Sequence, residues 1–315
     1  MTKQLHHRDW AQVSMDLRPI LVVPVYKGGE RFTRCLASIE KAEQYFSAVL
    51  LSINSDPGSA DLIQARDFQD RSGIHVQVIN TTFELNSMSH CRFWSKYLQD
   101  CKIPESKHLM WLGHDDELDT KGLADICHAG DWSLSPDTMY LGPWKLRHEP
   151  AQGLYVIPDD ENLETWTCFP KQERKPLGAM KWACDQLFHP TYLNLTGGVF
   201  PLSSMLEIVR FRVKKISGMR LEMTLATAPG SLWITEFREP ITIVCGRSDS
   251  DRATIPRAEA ISDDRRLLIW LIRFAFVNPS ARFQLTKTLV GIGVLRIKVL
   301  LGLAQLPGED WVVRS

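Results

Sequence analysis

Short apolar runs, each followed by a stretch with helical spacing, recur through the first half of the chain. The β-branched runs, whose length suits buried strands, are 19–26, 48–53 and 75–79, and a fourth run is 109–112. The stretches with helical spacing are 30–46, 61–70 and 87–100. This repeated strand-loop-helix order predicts an α/β fold with a parallel, doubly wound sheet. A length of 315 residues allows one large domain of this kind or two modest ones.

Three acidic residues follow the fourth apolar run. The run ends at Gly113, and Asp115, Asp116 and Glu117 come soon after it. In an open α/β sheet, ligands bind outside the carboxyl ends of the strands. Adjacent carboxylates repel one another there, and a hard divalent cation held together with substrate phosphates would offset their charge. The alternative is a solvated loop that caps the next helix.

Composition excludes several classes of protein. The 37 basic and 37 acidic side chains balance, which argues against a general nucleic-acid binder. The seven cysteines contain no CxxC pair, so neither a zinc site nor a disulfide framework is indicated, and free thiols in a reducing cytoplasm fit best. The first residues have no apolar signal-peptide core, and no apolar run reaches the roughly 18 residues that span a bilayer. We therefore expect a cytoplasmic location.

Three motifs carry a resemblance to a known family. Pro24-Val25-Tyr26, the loop 54–61 and the strand ending in residues 114–117 occur in the order and spacing of family 2 glycosyltransferases. The resemblance covers roughly residues 18–245. It implies a GT-A fold, in which a Rossmann-like, mostly parallel sheet flanked by helices binds a nucleotide-sugar.

The resemblance also assigns roles to residues near the strand ends. Donor binding falls to Pro24, Tyr26, Asn54, Asp56 and Asp116, with Arg247 in a later loop. The Asp-x-Asp motif of the family holds Mn²⁺ or Mg²⁺, and here Asp115 is the metal-binding acid. This chain departs from the pattern, because Asn54 and Ser55 replace an Asp pair and Gly113 replaces the first Asp of the motif.

The same resemblance indicates a catalytic base. Glu222 matches an acid at the start of a helix in the family, and Asp185 is the reserve candidate. An inverting transfer needs one carboxylate to take the proton from the acceptor hydroxyl. The alternative for Glu222 is an acid placed at a helix start by the helix dipole.

The sequence divides into a catalytic domain and a basic tail. We predict a GT-A domain over 1–250, with a nucleotide-sugar half at 18–118 and an acceptor half at 119–250. The C-terminal segment 251–315 is predicted to form basic amphipathic helices. Its core, 265–308, carries seven Lys and Arg residues and no acid, which is typical of a segment lying on an anionic membrane. Helices packed on the catalytic domain or in a homodimer interface are the alternative.

These features together predict an inverting, metal-dependent glycosyltransferase. It would transfer a sugar from a nucleotide-sugar donor, with UDP as the expected nucleotide, to a glycan or lipid-linked glycan in surface polysaccharide synthesis. One alternative is a nucleotidyltransferase of related fold, for which only Lys27-Gly28-Gly29 hints at a glycine-rich loop after the first strand. Another is a catalytically degenerate sugar-binding protein.

Overall fold

A computed structural model describes most of the first half of the chain and selected parts of the second. The described residues are 10–81, 87–130, 132–148, 163–166, 177–178, 196–210 and 233–246, with a few positions between 269 and 290. Its strands are Ile20–Val25 (β1), Ala48–Asn54 (β2), His75–Thr81 (β3), His108–Trp111 (β4), Glu117–Leu118 (β5), Thr138–Leu141 (β6), Trp144–His148 (β7), Glu164–Trp166 (β8), Leu177–Gly178 (β9), Val199–Pro201 (β10), Trp233–Glu236 (β11) and Thr242–Gly246 (β12). Its helices are Trp10–Met15 (α1), Gly29–Ala42 (α2), Ala60–Arg71 (α3), Ser87–Asp100 (α4), Thr120–His128 (α5) and Leu202–Arg210 (α6).

The main sheet is mixed but mostly parallel. Within the described residues it has the strand order β3-β2-β1-β4-β10-β6-β11-β9. Strands β3, β2, β1 and β4 run parallel, with Val25 opposite Ile53 and Val22 opposite Trp111. Strand β10 runs antiparallel to both β4 and β6. The predicted α/β fold with a mostly parallel, helix-flanked sheet is therefore confirmed.

Helices cover both faces of this sheet. Alternate strand residues such as Val23 and Met110 join a buried core with Phe32 of α2 and Phe68 of α3. The other face is covered by α4, whose Trp94 ring lies 4.8 Å from the ring of Trp111 in a T-shaped arrangement. Because side chains alternate along a strand, each strand serves both cores. The acidic loop thus leaves the sheet from a strand that is buried on both faces.

A second, smaller sheet lies beyond the acidic loop. Its order is β5-β12-β7-β8 in the described part of the chain. The chain ends β6 at Leu141 and begins β7 at Trp144 in the other sheet. Pro143 lacks the N–H that a central strand needs. A Cβ at Gly142 would lie 2.8 Å from Ile241 Cγ1, so the backbone turns in close contact with that side chain.

The start of α6 is held by a neighbouring loop. The helix begins at Leu202, and Ser203 and Ser204 lie within its first turn. Its first amides are satisfied by backbone carbonyls, since Leu202 N donates to Lys107 O at 2.8 Å and Ser203 N donates to Glu105 O at 2.9 Å. A backbone partner supplied by a distant loop replaces the side-chain cap.

The predicted C-terminal segment 251–315 lies almost entirely outside the described residues, and its membrane or dimer role stays a prediction. Among the helices that the structure does describe, none combines the length and apolar character needed to cross a bilayer. The predicted division at residue 250 likewise stays a prediction.

Candidate functional site

The predicted donor residues gather at one edge of the main sheet. Tyr26 follows β1 and is 43% exposed, and Asn54 ends the neighbouring strand β2. Asp115 follows β4 on the other side of β1 and is half-buried. Parallel strands place their carboxyl ends together, and ligands of open α/β sheets bind at such an edge. Pro24 lies within β1, while Asp56 is exposed in the loop after β2.

The second acid of the loop is held inside the protein. Asp116 is 6% exposed, its Oδ2 accepts a 2.6 Å hydrogen bond from Thr196 Oγ1, and its Oδ1 accepts a 3.0 Å bond from Cys245 N. Its own N–H donates to Gly113 O at 3.1 Å, which closes a tight turn. These contacts fix the path of the loop, and the predicted donor contact of Asp116 stays a prediction.

Gly113 leaves the space that this arrangement needs. A Cβ at this position would lie 2.6 Å from Asp116 Oδ2 and 3.1 Å from Asp115 Oδ1. The N–H of Gly113 donates to Thr196 Oγ1 at 3.3 Å, so the threonine hydroxyl joins the two residues. A side chain at position 113 would therefore displace the Asp116 carboxylate and crowd that of Asp115. This crowding is a physical reason for the departure from Asp-x-Asp.

The negative charge of the third acid, Glu117, is compensated by two arginines. Glu117 Oε1 lies 2.5 Å from Nη1 of Arg147 and 3.5 Å from Nη1 of Arg34. Arg147 is itself only 6% exposed, so this ion pair is largely screened from water. The repulsion among three adjacent acids is thus relieved within the protein at Asp116 and Glu117. Asp115 lies half-buried on the same loop.

The three acids affect the pKa of a buried thiol beneath the loop. Cys35 of α2 is fully buried, with its Sγ 3.8 Å from Gly113 O. Burial raises the pKa of the Cys35 thiol well above its usual range, and the negative charges of Asp116, Asp115 and Glu117 raise it further. The thiol therefore stays protonated and serves as packing under the loop.

A carboxylate that the sequence did not single out organises the loop after β1. Asp61, in the first turn of α3, is 7% exposed and accepts 2.9 Å hydrogen bonds from the N–H groups of Gly28 and Gly29. The helix itself is capped by Ser59, whose Oγ accepts from Leu62 N at 3.3 Å. The sequence signal was an acid just inside a helix start, which ordinarily indicates only a dipole interaction.

A buried histidine that packs against β2 was also not singled out by the sequence. His90 of α4 lies with Nδ1 3.4 Å from Ser52 Oγ and with its ring 5.4 Å from that of Trp94. Burial lowers the pKa of His90 to about 4, and His114 lowers it as well. The imidazole is therefore neutral at physiological pH.

The glycine pair after Thr196 forms a tight turn against β4. Gly197 has φ +82°, a left-handed conformation that glycine adopts readily. Its N–H donates to Trp111 O at 2.8 Å, and Trp111 N donates to Gly198 O at 3.1 Å. The turn brings the Thr196 hydroxyl under the acidic loop.

The remaining predicted residues cannot be compared with this geometry. Glu222, Asp185 and Arg247 lie outside the described residues. Among the residues that the structure does describe, no group of three or more His, Cys, Asp and Glu side chains could hold a metal ion. The predicted metal role of Asp115 stays a prediction.

Comparison with known proteins gives structural likeness only. No family model matches the sequence, and no curated protein matches it significantly. The chain is similar to S. aureus TarS 1–349 in complex with UDP, with a TM-score of 0.48 and 13% identity over 86% of this chain and 70% of that chain. It spans less of two other S. aureus TarS structures, 65% of one and 40% of the other.

Two further solved structures show a similar degree of likeness. The mannosyltransferase PcManGT from Pyrobaculum calidifontis, in complex with GDP-Man and Mn²⁺, has a TM-score of 0.46 and 12% identity over 91% of this chain and 81% of that chain. A 4-diphosphocytidyl-2C-methyl-D-erythritol synthase has a TM-score of 0.39 and 11% identity over 73% of this chain and 90% of that chain. Likeness at these scores and identities assigns no activity to this chain.

Proposed function

We propose that this chain is a metal-dependent glycosyltransferase of GT-A fold, related to family 2, that uses a nucleotide-sugar donor with UDP as its nucleotide. The observation that carries the proposal is the state of the acidic loop at the carboxyl end of β4. Asp115 lies half-buried at the sheet edge beside the end of β1, on a loop whose path is fixed by the contacts of Asp116 and Glu117. A carboxylate in this position suits a cation shared with a diphosphate.

The metal role falls to Asp115. Its carboxylate would hold Mn²⁺ or Mg²⁺, and the ion would act as a Lewis acid on the leaving diphosphate. Asp116 supports this role indirectly, because its bonds to Thr196 and Cys245 fix the backbone on which Asp115 is mounted. A metal ligand held on a fixed loop loses less conformational entropy when the donor binds.

The nucleotide role falls to the ends of β1 and β2. Tyr26 offers an exposed aromatic ring, and rings of this kind stack on nucleotide bases. Asn54, at the adjacent strand end, carries both a donor and an acceptor for a base edge. Pro24 lies in β1 and Asp56 lies in the loop after β2, and both belong to the proposed donor set.

The chemistry of transfer would be a single in-line displacement with inversion. Glu222 is the proposed base that takes the proton of the acceptor hydroxyl, with Asp185 in reserve. Arg247 would stabilise the departing diphosphate through charge-assisted hydrogen bonds. The proposed acceptor is a glycan or lipid-linked glycan of a surface polysaccharide. The basic segment 251–315 would hold the enzyme on the cytoplasmic face of a membrane, or else form a dimer interface.

The loop after β1 argues against a nucleotidyltransferase. Such an enzyme would use the amides of a glycine-rich loop at this position to hold phosphates. The amides of Gly28 and Gly29 donate instead to the carboxylate of Asp61. A phosphate at this loop would find both amides already hydrogen-bonded, and the negative charge of Asp61 would repel it. The hint given by Lys27-Gly28-Gly29 is therefore outweighed by this contact.

A metal and nucleotide titration tests the proposal. UDP binding is measured with and without Mn²⁺ in wild type, in Asp115→Asn and in Asp125→Asn, an exposed acid on α5 that serves as control. We expect Mn²⁺ to strengthen UDP binding in wild type and control, and Asp115→Asn to weaken it by about 10- to 100-fold. Equal Mn²⁺-dependent affinity in all three proteins would remove Asp115 from the metal site.

A donor panel separates the alternatives. Hydrolysis of a series of nucleotide sugars with Mn²⁺ would identify the nucleotide and support a glycosyltransferase. Release of pyrophosphate from a nucleoside triphosphate and a sugar phosphate would indicate a nucleotidyltransferase instead. Sugar binding without turnover of any donor would indicate the degenerate sugar-binding protein.

A further inference from the structure

Asp61 joins the start of α3 to the loop after β1 at the proposed donor edge. It lies in the first turn of α3, yet its carboxylate turns to the loop after β1, here termed the β1 loop (residues 26–29). Oδ2 accepts from Gly28 N and Oδ1 accepts from Gly29 N, both at 2.9 Å. The side chain is 7% exposed, so these charge-assisted bonds are shielded from water.

The β1 loop has a backbone conformation that needs such support. Lys27 has φ +50° and Gly29 has φ +54°, both in the left-handed region. A residue with a Cβ, such as Lys27, adopts this conformation at a cost and keeps it only where the surroundings hold it in place. The two hydrogen bonds from consecutive amides to Asp61 supply this restraint.

The β1 loop also contacts the rest of the site. A Cβ on Gly28 would lie 2.5 Å from Phe32 Cβ and 3.3 Å from Cδ2 of His114, so the glycine sits closely between α2 and the acidic loop. Tyr26 begins the β1 loop, and the Lys27 ammonium lies 5.0 Å from the centre of its ring. The direction of the Tyr26 ring therefore depends on the conformation of the residues that Asp61 holds.

We propose that Asp61 is a positioning residue for donor binding, a role that rests on the proposed function. It fixes the β1 loop so that Tyr26 faces the nucleotide, and it touches neither the nucleotide nor the metal. It also occupies the two glycine amides, which leaves the diphosphate to the Asp115 side of the edge. An asparagine could serve only one of the two amides, because its NH₂ group would face the other donor.

The experiment compares Asp61→Asn with Asp67→Asn, an exposed acid on the same helix. UDP affinity with Mn²⁺ and donor-hydrolysis kinetics are measured at a temperature where circular dichroism shows each protein folded. We expect Asp61→Asn to weaken UDP binding by about tenfold and to raise KM while kcat stays near the wild-type value. Hydrogen exchange of the Gly28 and Gly29 amides should become faster. Asp67→Asn should match wild type in every measurement.

A second variant covers the case in which Asp61→Asn does not fold. Gly29→Ala places a Cβ where nothing lies within 4 Å but where φ is +54°, so it disturbs only the backbone of the β1 loop. The proposal predicts weaker UDP binding for this variant as well. Unchanged UDP affinity in a folded Asp61→Asn, or in Gly29→Ala if the first variant is unfolded, would overturn the positioning role. A wild-type protein that binds no nucleotide would overturn the proposed function and this proposal with it.

Discussion

The hydroxyl of Thr196 donates a 2.6 Å hydrogen bond to Oδ2 of Asp116, a residue 80 positions earlier in the chain. The same hydroxyl accepts from Gly113 N at 3.3 Å, and the other oxygen of Asp116 accepts from Cys245 N at 3.0 Å. Three separate segments therefore close around one buried carboxylate. The acidic loop is a fixed part of the fold, and Asp115 is carried on it.

Replacing Thr196 by valine should destabilise the protein. The substitution keeps the shape and removes a hydroxyl that bonds to Asp116 and Gly113 in a buried site. We expect a loss of about 2–3 kcal/mol in the free energy of unfolding, because a charged acceptor is left without one of its donors. Urea denaturation measures the loss. Thr33→Val, at an exposed position on α2, should change stability by less than about 0.5 kcal/mol.

A double-mutant cycle checks that the hydroxyl acts through Asp116. Asp116→Asn weakens the same interaction from the other side, so the two losses should not add. We expect a coupling energy of about 0.5–3 kcal/mol, the range measured for residues in one hydrogen-bonded network. Simple addition of the two effects would mean that Thr196 stabilises the turn independently of Asp116.

Introducing a side chain at Gly113 should damage both stability and ligand binding. In Gly113→Ala, the new Cβ would meet Asp116 Oδ2 at 2.6 Å and Asp115 Oδ1 at 3.1 Å, so at least one carboxylate must move. We expect a loss of about 1–3 kcal/mol in stability, typical of overpacking, and weaker Mn²⁺-dependent UDP binding. Gly178→Ala, where a Cβ meets nothing within 4 Å, is the matched control. Unchanged UDP affinity in Gly113→Ala would show that the position of Asp115 does not matter for the metal.

The buried His90 should make stability depend on pH in the acidic range. Its pKa is lowered by burial from 6.5 to about 4, so the folded protein resists a proton that the unfolded chain accepts. The stabilising contribution is complete above about pH 6.5 and is lost as the pH falls towards about 4. Between about pH 7.5 and about pH 5 this amounts to about 2 kcal/mol.

The contribution of His90 is measured by comparing, between variants, the change in unfolding free energy from the higher to the lower pH. Unfolding free energies of wild type, His90→Leu and His128→Gln are compared at the two pH values, His128 being exposed on α5. The leucine variant should lose about 2 kcal/mol less than wild type on acidification, whatever its stability at neutral pH. The glutamine variant should follow wild type. An equal acid-side loss in the leucine variant would show that His90 is not the group that titrates.

Local pattern was enough to predict the first half of the fold. The apolar runs predicted β1 to β4, and the helical spacing predicted α2 and α3. Each of these patterns is formed by residues that are close together in the sequence. Strand and helix preferences depend on such neighbours, and the position of Asp115 just after a buried strand follows from them.

The tertiary structure decided which groups partner one another. The sequence could not show that Asp61 bonds to amides 32 and 33 residues away, or that Asp116 bonds to groups 80 and 129 residues away. Nor could it show that β10 would enter the sheet antiparallel beside β4. Hydrogen-bond partners at such separations are set by which segments pack together, because a buried polar group must find its partner wherever folding brings one. The sequence determined that Asp115, Asp116 and Glu117 would follow a strand, and only packing decided which groups lie against Asp116 and Glu117.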